Sequence, residues 1–323
     1  MWVGISLKGV IATLVLGCIC LPRAIAQSML SPSDPSTASL LEAHRLLSSA
    51  DYSGAERILR QTLTRTPDSA EAHFLLGFTL FRERQPRPSL AEYTEGARYR
   101  DPSTEDLITV SSDYILLEDY SDAARWLTMV TQRAPTLLLG WYLLGRTEYN
   151  ADHPADAERA FLTCLRLDPH HVRAEYNLGL AYEQMQRPED AMAAYKLAIS
   201  WQQDTAVKDP QPYLDLGILL RHQGHVTEAL PNLTMAASVG RLNPMPHQEL
   251  GLAYEQLGRY DDALTELRQA VALSPDTEAL HFFLGRIYRR TGRGEEAAKE
   301  FAEAAKLSGT KSAHDVPNLD VRP

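Results

Sequence analysis

The chain has 323 residues, of which 44% are hydrophobic, and it carries a formal net charge of −10 at pH 7. No long basic stripe interrupts this acidic balance, which argues against nucleic acid and anionic membrane surfaces as partners. A single compact core rarely extends to this length, so the size favours several domains or an array whose core grows along the chain.

Residues 1–26 have the pattern of a secretory signal peptide. A start with one lysine and no acid precedes a twelve-residue apolar run, and Ala24 and Ala26 form a small-x-small cleavage site before Gln27. The run is shorter than the about 20 apolar residues that a membrane-spanning helix needs. Two alternatives stay open, namely lipidation of Cys18 in a Leu-Gly-Cys box and an uncleaved N-terminal anchor. The sequence therefore predicts an exported protein, periplasmic or secreted.

Polar stretches flank the rest of the chain. Residues 27–35 are expected to form a flexible leader and residues 310–323 a disordered tail. Removal of the signal leaves Cys164 as the one cysteine, which excludes an intramolecular disulfide and predicts a buried core thiol.

Between these ends, small residues return at a fixed period. The interval is 34 residues each time except once, where it is 38. The residues are Gly77, Ser111, Gly145, Gly179, Gly217, Gly251 and Gly285. Twelve residues after each comes a second small residue, such as Ala157 after Gly145. Two small residues per unit allow two helices to pack closely, and a fixed period indicates stacked units.

One unit, residues 138–171, shows the pattern in full. Trp141 and Gly145 lie on one helical stripe, turn residues follow, Ala157 and Phe161 lie on a second stripe, and Pro169 ends the helix. This unit resembles the tetratricopeptide repeat (TPR), which has these residue types at these places.

The resemblance covers residues 36–309 as eight repeats and implies an all-α fold, a right-handed superhelical solenoid of helix-turn-helix units. The irregular 38-residue spacing falls between repeats five and six, where an insertion near residues 202–209 should lengthen a helix or form a loop.

The resemblance also implies that the first helices of the repeats line a concave, peptide-binding groove. Carried over by position, the groove residues are Phe74, Phe78, Tyr142, Arg146, Tyr149, Asn150, Arg173, Tyr176, Asn177, Arg221, Arg286 and Arg289. Aromatic side chains with a polar rim suit protein contact, although packing between helices is an equal alternative for the two phenylalanines. Arg146 and Asn177 would supply two members of a clamp for a terminal carboxylate, but Asp215 at the third place would repel one.

Catalytic and metal-binding patterns are absent from the sequence. It contains no HExxH, GxSxG or Walker-type pattern, and the repeats leave no room for a catalytic domain. The adjacent His170 and His171 point to different faces and lack acidic or Cys partners at ligand spacing. The sequence therefore predicts no enzyme activity, no cofactor and no metal.

The leading functional hypothesis is a non-catalytic protein–protein interaction scaffold that binds a peptide segment or partner protein in the groove. The alternative is a TPR assembly component, in one version a lipoprotein, of an envelope or pilus complex. An enzyme's accessory subunit and a carbohydrate-binding solenoid form a third possibility. The sequence specifies neither the partner, nor the oligomeric state, nor the processing of the N-terminus.

Overall fold

The computed structural model describes residues 35–203 and 205–314, and the side chains of residues 37–203 and 205–309. This part of the chain contains sixteen α-helices and no strand, which confirms the all-α prediction. The predicted signal peptide and all of the leader except its last residue lie outside the described residues. The last helix continues past residue 309 into the segment predicted as a tail.

The helices pair into eight hairpins, distributed over two compact units that divide after Pro169. Unit 1 contains α1 (Pro35–Ser48), α2 (Tyr52–Arg65), α3 (Ala70–Arg82), α4 (Pro86–Gly96), α5 (Thr104–Leu116), α6 (Tyr120–Arg133), α7 (Leu138–Asn150) and α8 (Pro154–Leu167). Unit 2 contains α9 (Val172–Gln184), α10 (Pro188–Trp201), α11 (Gln211–His222), α12 (Val226–Val239), α13 (Pro244–Gln256), α14 (Tyr260–Leu273), α15 (Glu278–Arg290) and α16 (Gly294–His314).

Local signals in the sequence start the helices. Asp51 accepts a hydrogen bond from the backbone N–H of Gly54 at the start of α2. Ser103 and Asp106 form a reciprocal capping box at α5, and Pro154 occupies the first turn of α8. These groups satisfy or replace the N–H donors that a helix leaves unpaired at its N-terminus.

The turn inside each hairpin has the same backbone conformation in all eight repeats. One residue there has a positive φ, between 57° and 82°, and the eight residues are Ala50, Arg84, Glu118, Asp152, Gln186, Gly224, Gly258 and Gly292. Glycine adopts this left-handed conformation without strain, whereas a side chain disfavours it. The last three repeats therefore have the residue that this turn prefers, and the first five make the same turn without it.

The periodic small residues allow the two helices of a hairpin to approach closely. A Cβ atom added to Gly179 would lie 2.4 Å from Tyr195, and one added to Gly217 would lie 2.5 Å from Leu233. Ala157 and Ala191, at the second small position, have no exposed surface. Contact between helices, rather than backbone freedom, thus explains the period in the sequence.

We expect Gly145→Leu to destabilise the fourth repeat by about 1–3 kcal/mol, because the new side chain overpacks the contact between α7 and α8. A Cβ atom at this position would lie 2.6 Å from Cε1 of Phe161. Amide hydrogen exchange should accelerate in α7 and α8, since a repeat array couples mainly neighbours. Gly294→Ala is the control, because nothing lies within 4 Å of a Cβ atom there. Equal acceleration in all described helices would contradict the prediction.

The insertion between repeats five and six forms a loop rather than a helical extension. The side chain of Gln202 is buried and holds the loop closed, donating to the carbonyl oxygen of Asp209 at 3.1 Å and accepting from its N–H at 2.8 Å. Val207 lies at the outer side of this loop and is 86% exposed.

First helices of consecutive repeats lie beside one another within each unit. In unit 1, α3 contacts both α1 and α5, and in unit 2, α11 contacts α13. We call the surface formed by α1, α3, α5 and α7 the first-helix face of unit 1, and that formed by α9, α11, α13 and α15 the first-helix face of unit 2. None of the described helices combines the length and apolarity that a bilayer crossing requires.

Candidate functional site

The twelve residues predicted for the groove all lie on first helices. Six are in unit 1, on α3 and α7, and six are in unit 2, on α9, α11 and α15. Their immediate surroundings differ, and so does the chemistry that each can offer a ligand.

Phe74 and Phe78 contribute mainly to the packing of unit 1. Phe74 is 3% exposed and stacks on Tyr93 of α4 with ring centroids 5.8 Å apart. Phe78 is 6% exposed and packs against Phe81, with the ring centroids 6.4 Å apart. Of the two alternatives that the sequence left equal, packing is the one that these contacts support, because Phe74 packs between helices and Phe78 lies in the hydrophobic core. A ligand would meet little of either ring.

Tyr142 and Arg146 form a pair on α7. Tyr142 is 8% exposed and packs on Phe161, and the Arg146 guanidinium carbon lies 5.7 Å from the centroid of the Tyr142 ring. Arg146 is itself 8% exposed, and within the described residues it makes no ion pair and no hydrogen bond through its side chain. Tyr149 and Asn150, further along α7, are half-buried.

Tyr176 and Asn177 on α9 are held by hydrogen bonds within unit 2. The Tyr176 hydroxyl donates to the carboxylate of Asp215 at 2.6 Å, and the Asn177 amide donates to the backbone carbonyl of Arg173 at 2.6 Å. Arg173 is exposed. Tyr195 of α10 completes this cluster, since its hydroxyl donates to Glu183.

Two acids, Glu183 and Asp215, lie together in this cluster. Burial, together with the mutual repulsion of the two carboxylates, raises the pKa of Asp215 to about 7, although the hydrogen bond from Tyr176 opposes this shift. Burial also raises the pKa of Glu183. The tyrosine hydroxyls therefore share this part of unit 2 with the Asp215 carboxyl group, which takes up a proton near neutral pH, and with Glu183, whose pKa is also raised.

The predicted arginines on α11 and α15 form ion pairs between neighbouring repeats. Arg221 lies 2.7 Å from Glu249, with the two side chains only 10% and 7% exposed. Arg286 pairs with Glu255, whose carboxylate also lies 3.2 Å from Nε of Arg290. Arg289 instead lies over the ring of Phe301, 5.5 Å from its centroid. The charges of Arg221 and Arg286 are thus largely neutralised inside unit 2.

A recurring histidine bridge was not predicted from the sequence. The Nδ1 atoms of His73, His247 and His281 each lie 2.7 Å from a glutamate on the second helix of the same repeat, which is Glu92, Glu266 and Glu300 respectively. The spacing was visible in the sequence as a His and a Glu at the same two places in repeats two, seven and eight.

The other ring nitrogen of two of these histidines reaches back to the preceding repeat. Nε2 of His73 lies 3.0 Å from the carbonyl oxygen of Pro67. Nε2 of His281 lies 2.7 Å from the carbonyl oxygen of Pro275. Burial opposes the charged ring of His281, but the contacts with Glu300 and Pro275 outweigh it and raise its pKa. Trp141 makes the equivalent bond, since its indole N–H donates to the Pro135 carbonyl at 2.8 Å.

Asp113 is a second feature that sequence reasoning did not single out. It has no exposed surface, and neither carboxyl oxygen has a hydrogen-bond partner in the described part of the chain. The neighbouring Ser89 hydroxyl is directed elsewhere, donating to the Gly77 carbonyl at 2.8 Å. Burial raises the pKa of Asp113 to about 8, so its carboxyl group is mainly protonated at neutral pH.

Cys164 and the adjacent His170 and His171 make contacts that belong to the packing and capping of the helices. Cys164 is fully buried, as predicted, and burial raises its pKa to about 12. His171 caps α9 by accepting from the N–H of Ala174 at 3.0 Å, and His170 packs edge-on against Trp201. Among the described residues, no group of three or more His, Cys, Asp or Glu side chains could hold a metal ion.

Comparison with known proteins establishes the family. A family model described as tetratricopeptide repeat matches residues 40–104, 142–206 and 249–312, which together are more than half of the chain. The chain therefore belongs to the tetratricopeptide repeat family, as the repeat pattern indicated.

Individual relatives are more distant. The chain is 25% identical over 191 residues to "Essential for maintenance of the cell wall protein 1" of Saccharomyces cerevisiae, a match that covers 57% of this chain but only 20% of that protein. The C-terminal part of a TPR repeat-containing protein from Cytophaga hutchinsonii is similar with a TM-score of 0.62 and 13% identity, over 76% of this chain and 99% of that one. YrrB, described as a TPR protein with an unusual peptide-binding site, has a TM-score of 0.50 and 16% identity, over 60% and 100% of the two chains. These structural similarities concern the fold.

Proposed function

We propose that this protein is a non-catalytic interaction scaffold that holds an extended peptide segment of a partner protein against a first-helix face. The observation that carries the proposal is that half-buried aromatic and polar side chains lie on α7 in unit 1 and, separately, on α9 in unit 2. Tyr149, Asn150 and Tyr176 present rings and polar groups there without being sealed in the core. Such amphipathic side chains suit contacts with protein segments.

Family membership supports the same proposal. First helices of neighbouring repeats contact one another, as α3 does with α1 and α5, and α11 with α13, and a repeat array of this kind typically uses such an extended surface for binding. YrrB, a protein of similar fold, is described as having a peptide-binding site.

Site-specific photo-cross-linking tests the assignment. Tyr149 on α7 is replaced by p-benzoylphenylalanine, and the control carries the same group in place of Leu162, which is 41% exposed on α8, a second helix. After irradiation in envelope extract, mass spectrometry identifies the cross-linked peptides. We expect adducts with a defined partner segment from position 149 and not from position 162. Equal adducts at both positions, or none at 149, would contradict binding at the first-helix face.

Export is part of the proposal and rests on the pattern of residues 1–26. N-terminal analysis of the protein from the envelope fraction tests it. A chain that begins at Gln27 supports a freely exported scaffold, whereas a lipidated Cys18 at the N-terminus favours the assembly lipoprotein. A chain that retains its first residues in the cytosolic fraction would contradict export.

A further inference from the structure

Arg146 is exceptional among the cations of unit 1. The described part of this unit contains no lysine, and every arginine in it except Arg146 and Arg82 is exposed. Arg146 is 8% exposed and has no carboxylate partner within the described residues. Burying a cation without an anion is unfavourable, so such a side chain points to an anion supplied from outside the described chain.

The surroundings of Arg146 fix its guanidinium without neutralising it. The Tyr142 ring lies beneath the group, 5.7 Å from the guanidinium carbon. An aromatic face attracts a cation but leaves its N–H donors free for a carboxylate, which a guanidinium can bind through two parallel hydrogen bonds. None of its nitrogen atoms is among the fully enclosed, unpaired polar atoms, so the group is accessible at the surface of α7.

Arg82 on α3 repeats this arrangement. Its guanidinium carbon lies 4.9 Å from the Tyr52 ring centroid and 5.8 Å from that of Phe78, and it makes no ion pair in the described part of the chain. The side chain is half-buried. Repeats two and four thus each present one arginine that rests on aromatic rings and lacks an acidic partner.

In unit 2, two first-helix arginines are paired with acids of the same unit. Its buried Arg221 pairs with Glu249, and Arg286 pairs with Glu255. The contrast shows that this protein can supply an acid from a neighbouring repeat where an arginine is buried. At Arg146 it does not, and the aromatic side chain about one turn further along α7, Tyr149, is half-buried rather than sealed in the core.

We propose that the first-helix face of unit 1 recognises an internal segment of a partner protein in which an Asp or Glu side chain is flanked by apolar residues. Arg146 binds the carboxylate through its guanidinium N–H groups, Tyr142 holds the guanidinium in place, and Arg82 offers a second carboxylate site two repeats away. This inference rests on the proposed function, because it names the chemistry of the segment that the scaffold holds.

Selection from a random linear-peptide library tests the proposal. The library is displayed at the N-terminus of a phage coat protein, so that no peptide has a free terminal carboxylate, and the immobilised full chain is the bait. We expect enriched peptides to carry Asp or Glu beside aromatic or aliphatic residues. One of them is then synthesised with an amidated C-terminus, together with its Glu→Gln or Asp→Asn counterpart, and titrated calorimetrically.

Variants at position 146 connect the selected peptides with the site. Arg146→Met should weaken binding at least about tenfold, as expected for loss of a hydrogen-bonded charge pair, and should abolish the difference between the acidic peptide and its amide. Arg146→Lys should recover part of the affinity. Arg125→Met is the matched control, because Arg125 is an exposed arginine of the same unit on a second helix. Since Arg146→Met removes an unpaired buried charge, its melting temperature should not fall.

The outcomes separate this inference from the proposed function. Enriched peptides without an acidic bias, or equal affinity of the wild type and Arg146→Met for the acidic peptide, would overturn the inference and leave the scaffold intact. Failure to enrich any peptide would overturn both.

Discussion

Replacement of Arg221 by Met is expected to lower the free energy of unfolding by about 3–5 kcal/mol, because it leaves Glu249 as an unpaired buried acid. Glu249 is 5% exposed, and its carboxylate faces the Arg221 guanidinium at 2.7 Å. Loss of the cation forces this acid either to remain charged in a poorly solvated place or to take up a proton. Hydrogen exchange of the α11 and α13 amides, together with thermal unfolding, measures the effect.

The double variant Arg221→Met/Glu249→Leu separates the cost of leaving one charge unpaired from the effect of changing the packing around the pair. Repeats two and four already carry Leu75 and Leu143 at the place equivalent to Glu249. Replacement of a whole buried ion pair by apolar residues is often neutral or stabilising, so we expect most of the lost stability to return. A single variant as stable as the wild type, or a double variant less stable than the single variant, would show that the ion pair does not hold α11 against α13.

Replacement of Asp113 by Thr is expected to raise the stability of unit 1 by about 2–4 kcal/mol at neutral pH, because it removes a buried carboxyl group without hydrogen-bond partners. Repeat two carries Thr79 at the equivalent place, where the hydroxyl donates to the Leu75 carbonyl at 2.7 Å. The substituted hydroxyl can make the same bond to the backbone of α5.

The same variant should change how stability depends on pH. The pKa of Asp113 is about 8 in the folded chain, well above the about 3.9 of an unfolded aspartate. Between these values the folded state binds more protons than the unfolded state, so stability falls as pH rises through this window. We expect thermal unfolding between about pH 5 and about pH 8 to show a smaller decline for Asp113→Thr than for the wild type.

Asp101→Thr is the matched control, since Asp101 is an exposed acid in the loop between α4 and α5. It should leave both the melting temperature and its slope with pH nearly unchanged. An Asp113→Thr variant that is less stable than the wild type, or that keeps the full pH slope, would contradict this account of the buried carboxyl group.

The fold was predictable because it depends on features that recur. Gly145 and Phe161 lie in contact as the period required, and α8 ends before Pro169 as the sequence indicated. Every repeat packs its two helices in the same way, so a helix boundary that is ambiguous in one repeat can be assigned from the others. The insertion had no such copies, and whether residues 202–209 form helix or loop depended on the contacts of Gln202 with Asp209.

The candidate site was predictable in position but not in chemistry. Placement on a first helix followed from the positions that the family resemblance carried over, and it is correct for residues as different as Phe74, Arg146 and Arg221. Which arginine is paired and which is not depends on a side chain in a neighbouring repeat, and spacing within one repeat carries no information about that. The resemblance thus places Arg221 at the groove surface, whereas its guanidinium lies in a buried ion pair with Glu249.

The ion pairs of unit 2 fix the order in which its repeats can follow one another. Arg221 and Glu255 occupy equivalent places in repeats six and seven, and each faces the following repeat. Excision of repeat seven would bring Arg221 opposite Arg286, two cations with no acid between them. These repeats are consequently not interchangeable modules, and a chain shortened or shuffled at this junction would retain the helical pattern while losing its electrostatic match.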